Sequence, residues 1–243
     1  IFTHTLANTP TMPAKHKPYE SEAEKCFRLR KIVFEMLETR EYSVCLGETR
    51  MFTDSNGNEV FDSFLTAFNE QTPQSLREFM TIVAQKKEFA GAATQTHKGR
   101  VVVVFPDTPK LGIKDLVEHC KKSVTEKNSH HIIFIVIDSL TPFANQKGQG
   151  LTETGMRIED FMEQDMLYNR TKHKDVPVHT ALKPQQVGAL IRRYKLKSSI
   201  GSLPQLPTTD AIAKFYGFRK GQIVQIERVS QTGGKTYYFR LVV

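Results

Sequence analysis

The sequence predicts two domains of mixed helix and strand. An α/β domain with a βαβ core occupies residues 20–170, and a small α+β domain follows over residues 171–243. Three observations predict this. Two fully apolar runs, Val101 to Phe105 and Ile132 to Ile137, flank a helical stripe of Ile113, Leu116, Val117, Cys120 and Val124. Strand, helix and strand at these lengths make a βαβ unit whose parallel strands are buried on both faces. The chain after Thr171 has its own helix stripe and its own hairpin. The charge divides at the same place: 13 Lys and Arg stand against 3 Asp and Glu from Thr171 onward, a net of +10. Residues 1–170 therefore carry −2 of the formal total of +8.

The elements follow in order. Residues 1–19 are polar and contain proline. They read as a loose tail without the apolar centre of a secretory signal. Leu29, Ile32, Val33, Met36 and Leu37 form the stripe of a first helix. Asp54-Ser55-Asn56-Gly57 is a turn. Val60 to Phe68 fits a helix through Phe61, Phe64, Leu65 and Phe68, and its flanking turn leaves a strand open. Leu76, Phe79, Met80 and Val83 give another helical stripe after Thr72-Pro73. The βαβ unit comes next, then a short helix expected over Met156 to Gln164. The polar run Asn169 to Lys174 reads as a domain boundary.

Pro184 suits the first turn of a helix, where a missing N–H costs nothing, and Val187, Leu190, Ile191 and Tyr194 recur at helical spacing with Arg192 and Arg193 beside them. Leu203 to Pro207 reads as an extended connector. Asp210 or Thr209 is the N-cap of a short helix, and Gly217 is its left-handed stop. Gln222 to Arg228 alternates, Gly233-Gly234 signals a hairpin turn, and Lys235 to Val243 is the second strand. Two helices, a hairpin and an added strand make up this unit.

A hydrophobic content of 39% with 16 Phe supports real cores, and no apolar run reaches membrane-spanning length. Cys26, Cys45 and Cys120 are widely scattered. They suit a reducing compartment and argue against a disulfide frame or a zinc site, so they read as small buried side chains. The basic excess of the C-terminal unit admits three readings: contact with nucleic acid phosphates, contact with an acidic protein surface, or a solvated face.

No catalytic site assembles. Pro106-Asp107 at a strand end matches half of a restriction-type nuclease site, but the chain contains no Asp/Glu-x-Lys to complete it, and Asp138 after the next strand has no such lysine. His130 and His131 precede a strand, where adjacent side chains point to opposite faces and cannot chelate one metal, so both read as loop histidines. His173 and His179 lack ligand partners at suitable spacing. Gly148-x-Gly150 lacks a phosphate-loop lysine, and Ser139 lacks elbow glycines. No cofactor or metal is expected.

The C-terminal residues Val176-Pro177-x-His179, Arg192-Arg193-Tyr194, Gln205-Leu206-Pro207, Asp210, Tyr216-Gly217, Lys220-Gly221 and Tyr238-x-Arg240 carry a dense resemblance. In that order they resemble the jaw and assembly subunit common to eukaryotic nuclear RNA polymerases, whose C-terminal part is similar to a small stand-alone subunit of the archaeal RNA polymerase. Further upstream, Arg28 to Tyr42, Thr125 to Asn128, Thr141-Pro142-x-Ala144 and Ile158-Glu159-x-Phe161 follow in family order. The resemblance implies a nuclease-like jaw domain without nuclease residues, beside downstream DNA, and an assembly domain docked on the largest subunit. It implies a non-catalytic polymerase subunit, nuclear, with no membrane association and only weak, sequence-independent contact with DNA. The implied DNA-proximal loop is Thr141, Pro142, Phe143 and Ala144 with Lys147. The implied assembly interface is Pro177, His179, Arg192, Arg193, Tyr216, Lys220, Tyr238 and Arg240. Docking on protein then accounts for the +10.

Three departures stand out. Ala211 follows Asp210 where the family usually has proline, Ser198-Ser199-Ile200-Gly201 lengthens the connector, and Phe143 interrupts the usual Thr-Pro-Ser-Ala. They fit a paralogue serving one polymerase, preferably the ribosomal-RNA polymerase with nucleolar residence. They equally fit drift in a shared subunit. The reading from another class is a free nuclease-derived DNA-binding protein.

Overall fold

The computed structural model describes residues 21–44, 61–89, 99–153, 155–196, 203–230 and 234–243. The expected tail, Cys45, the Asp54–Gly57 turn, Val60, the Ser198–Gly201 insertion and Gly233 lie outside the described residues.

Helix α1 (Glu22–Thr39) starts at Ser21, whose side chain accepts from the Glu24 N–H. It buries Leu29, Ile32, Val33, Met36 and Leu37, the expected stripe. Strand β1 (Tyr42–Val44) follows. The ambiguous phenylalanine segment is helical, α2 (Phe61–Glu70), and buries Phe64 and Ala67. Thr72 and Ser75 form a capping box that starts α3 (Pro73–Met80). The expected stripe runs one residue too far, because Val83 belongs to β2 (Ile82–Lys86) and faces the other side of the sheet.

Strand β3 (Arg100–Val104) leads through β4 (Lys110–Leu111) to α4 (Ile113–Thr125) and then β5 (His131–Val136). β3 and β5 pair in parallel, as the βαβ pattern predicts. A short β6 (Ser139–Leu140) precedes α5 (Pro142–Glu153). The helix expected over Met156 to Gln164 is instead β7 (Arg157–Met162) followed by a 3₁₀ turn (Glu163–Met166). Parallel pairing with β5 wins here, because Ile158 and Phe161 then serve opposite cores. Their odd spacing fits a strand covered on both faces.

The first sheet has the order β1-β2-β3-β5-β7. The core containing α1 and α2 residues holds Val101, Val103, Ile133 and Ile135. The core containing α4 and α5 residues holds Val102, Val104, Ile132, Phe134 and Val136. Cys26 and Cys120 are buried free thiols, as expected. Burial is the leading cause that pushes both up to about 11, which keeps them unreactive.

The second sheet runs β8 (Val178–Ala181), β10 (Ile223–Ser230), β11 (Gly234–Val242) and β9 (Gln205–Leu206) in that order. The expected connector thus contributes β9, parallel to β11. Helix α6 (Pro184–Tyr194) covers one face through Val187 and Leu190. Helix α7 (Ala211–Tyr216) covers the other through Ala213. Asp210 caps α7 by accepting from the Ile212 and Ala213 N–H groups, and Gly217 ends it at φ 67°, both as expected. The second sheet has its own cores on both faces, yet Phe215 of α7 joins the core of the first domain.

Candidate assembly and DNA-facing surfaces

Thr141, Pro142, Phe143 and Ala144 are not a loop. They open α5: Thr141 precedes the helix and its Oγ1 accepts from the Ala144 N–H at 3.3 Å, and Pro142 takes the first helical position, which needs no donor. Ala144 is buried and Phe143 is 72% exposed. Lys147 stands four residues on, exposed and on the same side of the helix as Phe143. The β4–β6 ribbon is parallel, so α4 starts beside α5. Ile113, the first residue of α4, is also exposed. One end of the first domain therefore presents an exposed aromatic and a nearby cation.

Asp107, the half of a nuclease motif noted in the sequence, meets a guanidinium. Arg77 Nε lies 3.4 Å from Asp107, and Arg77 Nη1 lies 2.7 Å from Glu163, which Lys25 also pairs. Glu163 is only 1% exposed, so these cations balance a carboxylate taken out of water. Among the described residues no group of three or more His, Cys, Asp and Glu is placed to hold a metal ion.

The joint between the domains is a buried charge cluster. Arg40 lies just past α1. Its Nε donates to the Phe215 carbonyl at 2.9 Å, and its Nη2 reaches the Lys214 carbonyl at 2.6 Å and Glu159 at 2.8 Å. Arg157 adds an ion pair to Glu159 at 2.8 Å and donates to the Gly217 carbonyl at 3.0 Å. Two arginines of the first domain thus donate to three carbonyls at the end of α7. Gly217 is required twice: its φ is left-handed, and a Cβ there would lie 3.0 Å from the Arg40 guanidinium.

His131 completes the cluster. It lies in β5 and is buried, not a loop histidine as expected, while His130 on the opposite side is exposed. Its Nε2 contacts Glu159 at 2.9 Å and its Nδ1 contacts the Tyr42 hydroxyl at 3.2 Å. One donor and one acceptor fit the neutral ring. Burial holds the His131 pKa below its ordinary value, with Arg157 and Arg40 adding to that. Burial also opposes ionisation of Glu159, but Arg40, His131 and Arg157 outweigh it and hold its carboxyl well below the usual range. Sequence reading misses Arg40, His131 and Arg157, and places Glu159 only in family order. The one available signal is Arg157-x-Glu159, two charges on one side of a strand.

The implied assembly residues do not form one surface. His179 and Tyr216 stand together, with ring centroids 6.3 Å apart, and His179 Nδ1 donates to the Pro177 carbonyl at 2.7 Å. Tyr216 stacks on Phe218 at 5.2 Å. Tyr238 and Arg240 lie on the same face of the sheet as His179, the face covered by α7. Tyr238 sits under Arg228 at 5.2 Å. Arg192 and Arg193 lie on α6, which covers the opposite face, and Lys220 lies in an exposed turn.

Comparison with known proteins agrees with this architecture. The model for RNA polymerase Rpb5, N-terminal domain, matches residues 20–123, and that for RNA polymerase Rpb5, C-terminal domain, matches residues 168–242. The chain is 30% identical over 226 residues to the DNA-directed RNA polymerases I, II, and III subunit RPABC1 of Caenorhabditis briggsae, covering 92% of this chain and 98% of that protein. It is 29% identical to the corresponding subunit of Dictyostelium discoideum, over 91% of this chain and 99% of that one. It is 25% identical to the DNA-directed RNA polymerase subunit 5-like protein 1 of Arabidopsis thaliana, over 92% and 98%. With both domain models matched in order and a relative aligned almost end to end, the chain belongs to the Rpb5 family of non-catalytic DNA-directed RNA polymerase subunits.

Proposed function

We propose that this chain docks on the largest subunit of a nuclear RNA polymerase through residues 171–243. Residues 20–170 then form part of the lower jaw near downstream DNA. The division of charge carries this reading. The C-terminal unit holds a net +10 and exposes tyrosines beside arginines, a composition suited to a protein interface. The first domain is slightly acidic, which disfavours broad contact with duplex DNA, and presents one strongly exposed aromatic, Phe143, with Lys147 nearby. Contact with DNA at that tip is sequence-independent and weakens with salt. DNA cross-linking in an intact elongation complex tests it. Cross-links at Phe143 or Lys147 support the jaw role, and cross-links confined to the rest of the chain oppose it.

The preferred enzyme is the ribosomal-RNA polymerase, with nucleolar residence. Ala211 says little about this, because Asp210 caps α7 without the proline. Phe143 supports it better, since an aromatic 72% exposed serves no internal packing. The competing reading is a shared subunit, as the names of the nematode and Dictyostelium relatives state for those proteins. Recovery of all three largest subunits in comparable amounts with the tagged chain would exclude specialisation.

A further inference from the structure

The second sheet has one face that its own helix covers only halfway. Ile223, Phe239 and Leu241 pack with Leu190 and Val187 of α6. The same face continues beyond the helix. Val178 is registered with Glu227, and Glu227 with Tyr237, so Val178 and Tyr237 share it, and Val229 lies two residues along β10. Tyr194, the last residue of α6, bounds the open part with its ring 5.9 Å from Phe239. Val178, Tyr194, Val229 and Tyr237 are 61%, 54%, 74% and 47% exposed. They are four of the nine large hydrophobic side chains left exposed among the described residues, gathered on one shelf. Scattered exposed apolar groups are ordinary, whereas a gathered patch rimmed by charge marks an interaction site.

The rim is basic. Arg192, Arg193 and Lys195 are exposed at the end of α6, with the Arg193 guanidinium 5.9 Å from the Tyr194 ring. The one carboxylate on the shelf, Glu227, is held by Lys235 at 2.7 Å.

We propose that this shelf takes an acidic segment of another polymerase subunit. Aliphatic side chains of that segment cover Val178, Val229 and Tyr237, and its carboxylates meet Arg192 and Arg193. The inference rests on the reading of the chain as a docked subunit and says which face docks. Charge complementarity sets the sign of the partner. The valines set its class, because a phosphate backbone would leave them in water while an aliphatic partner removes them from it. Tyr238, next in sequence to Tyr237, points to the α7 face, so the two neighbouring tyrosines separate the faces.

The test uses the tagged full-length chain expressed in cells, comparing wild type with Val229→Asp, Tyr237→Ala and Tyr168→Ala for recovery of the largest polymerase subunits. Loss of a central aromatic or burial of a new charge at an interface lowers affinity by about tenfold or more. The expected result is a drop of that size for Val229→Asp and Tyr237→Ala, with Tyr168→Ala, at a half-exposed tyrosine of the first domain, within about twofold of wild type, at unchanged thermal midpoints of the free variants. Wild-type recovery with both shelf variants would overturn the proposal while leaving the polymerase reading intact. Unchanged recovery with lost binding of duplex DNA would make nucleic acid the occupant, and unchanged recovery with lost self-association would make it a second copy. Either result overturns the proposal. Failure of the wild-type chain to recover any polymerase subunit would overturn the polymerase reading itself.

Discussion

Arg40 places one guanidinium on two helix-end carbonyls and one buried carboxylate, so its loss takes the arginine donor from both carbonyls and leaves Glu159 to Arg157 and His131 alone. Breaking one side of a buried ion pair costs roughly 3–5 kcal/mol, whereas an exposed pair contributes at most about 1 kcal/mol. Arg40→Met should therefore destabilise the chain several-fold more in free energy than Lys122→Ala, which removes an exposed pair with Glu118. Denaturant unfolding measures both. Gly217 offers a second comparison. Gly217→Ala meets both a left-handed backbone and the Arg40 guanidinium, while Gly221→Ala at φ 88° has open space around it. The left-handed cost is about 1–2 kcal/mol for either, so the excess loss at Gly217 reports the crowding. The cluster also sets a pH dependence. His131 and Glu159 both have folded-state pKa values below their unfolded ones, so the unfolded chain binds more protons as pH falls. Stability is therefore fully present above about pH 6.5, the free histidine value, and declines below it. His131→Gln should flatten that decline in thermal midpoints measured from neutral pH to about pH 5.

At the scale of elements, the sequence is most legible where pattern and packing agree. The α1 stripe, the βαβ unit and the Asp210 and Gly217 caps all appear at their expected positions. β7 reads as a helix because Ile158 and Phe161 stand three apart, a spacing that a helix and a doubly covered strand share. The Thr141–Ala144 segment reads as a loop because only two residues of β6 separate it from the strand region. The interdomain cluster is illegible because its members lie from residue 40 to residue 217 and meet only after folding. Phe215 is the element-scale test of how separate the domains are. Residues 171–243 should unfold cooperatively alone, since their sheet has a core on each face. Phe215→Ala should cost roughly 3–5 kcal/mol in the full chain and much less in that fragment, where the first core is missing. Equal costs in the two would show that Phe215 belongs to the second domain alone.

At the scale of the whole molecule, two sheets are joined through buried charges and one shared phenylalanine, with the basic excess on one side of the joint. Such a joint ties the two domains together through groups taken out of water, which suits a chain that supports a larger enzyme without doing its chemistry. The purified chain alone should bind duplex DNA weakly, without sequence preference, and progressively less as salt rises. Tight, sequence-selective binding by the free chain would favour a free DNA-binding protein instead. The central claim is tested most directly by affinity purification of the tagged full-length chain with identification of the subunits that accompany it. Stoichiometric recovery of a largest RNA polymerase subunit is the predicted result, and recovery of the chain free of any polymerase subunit would contradict it.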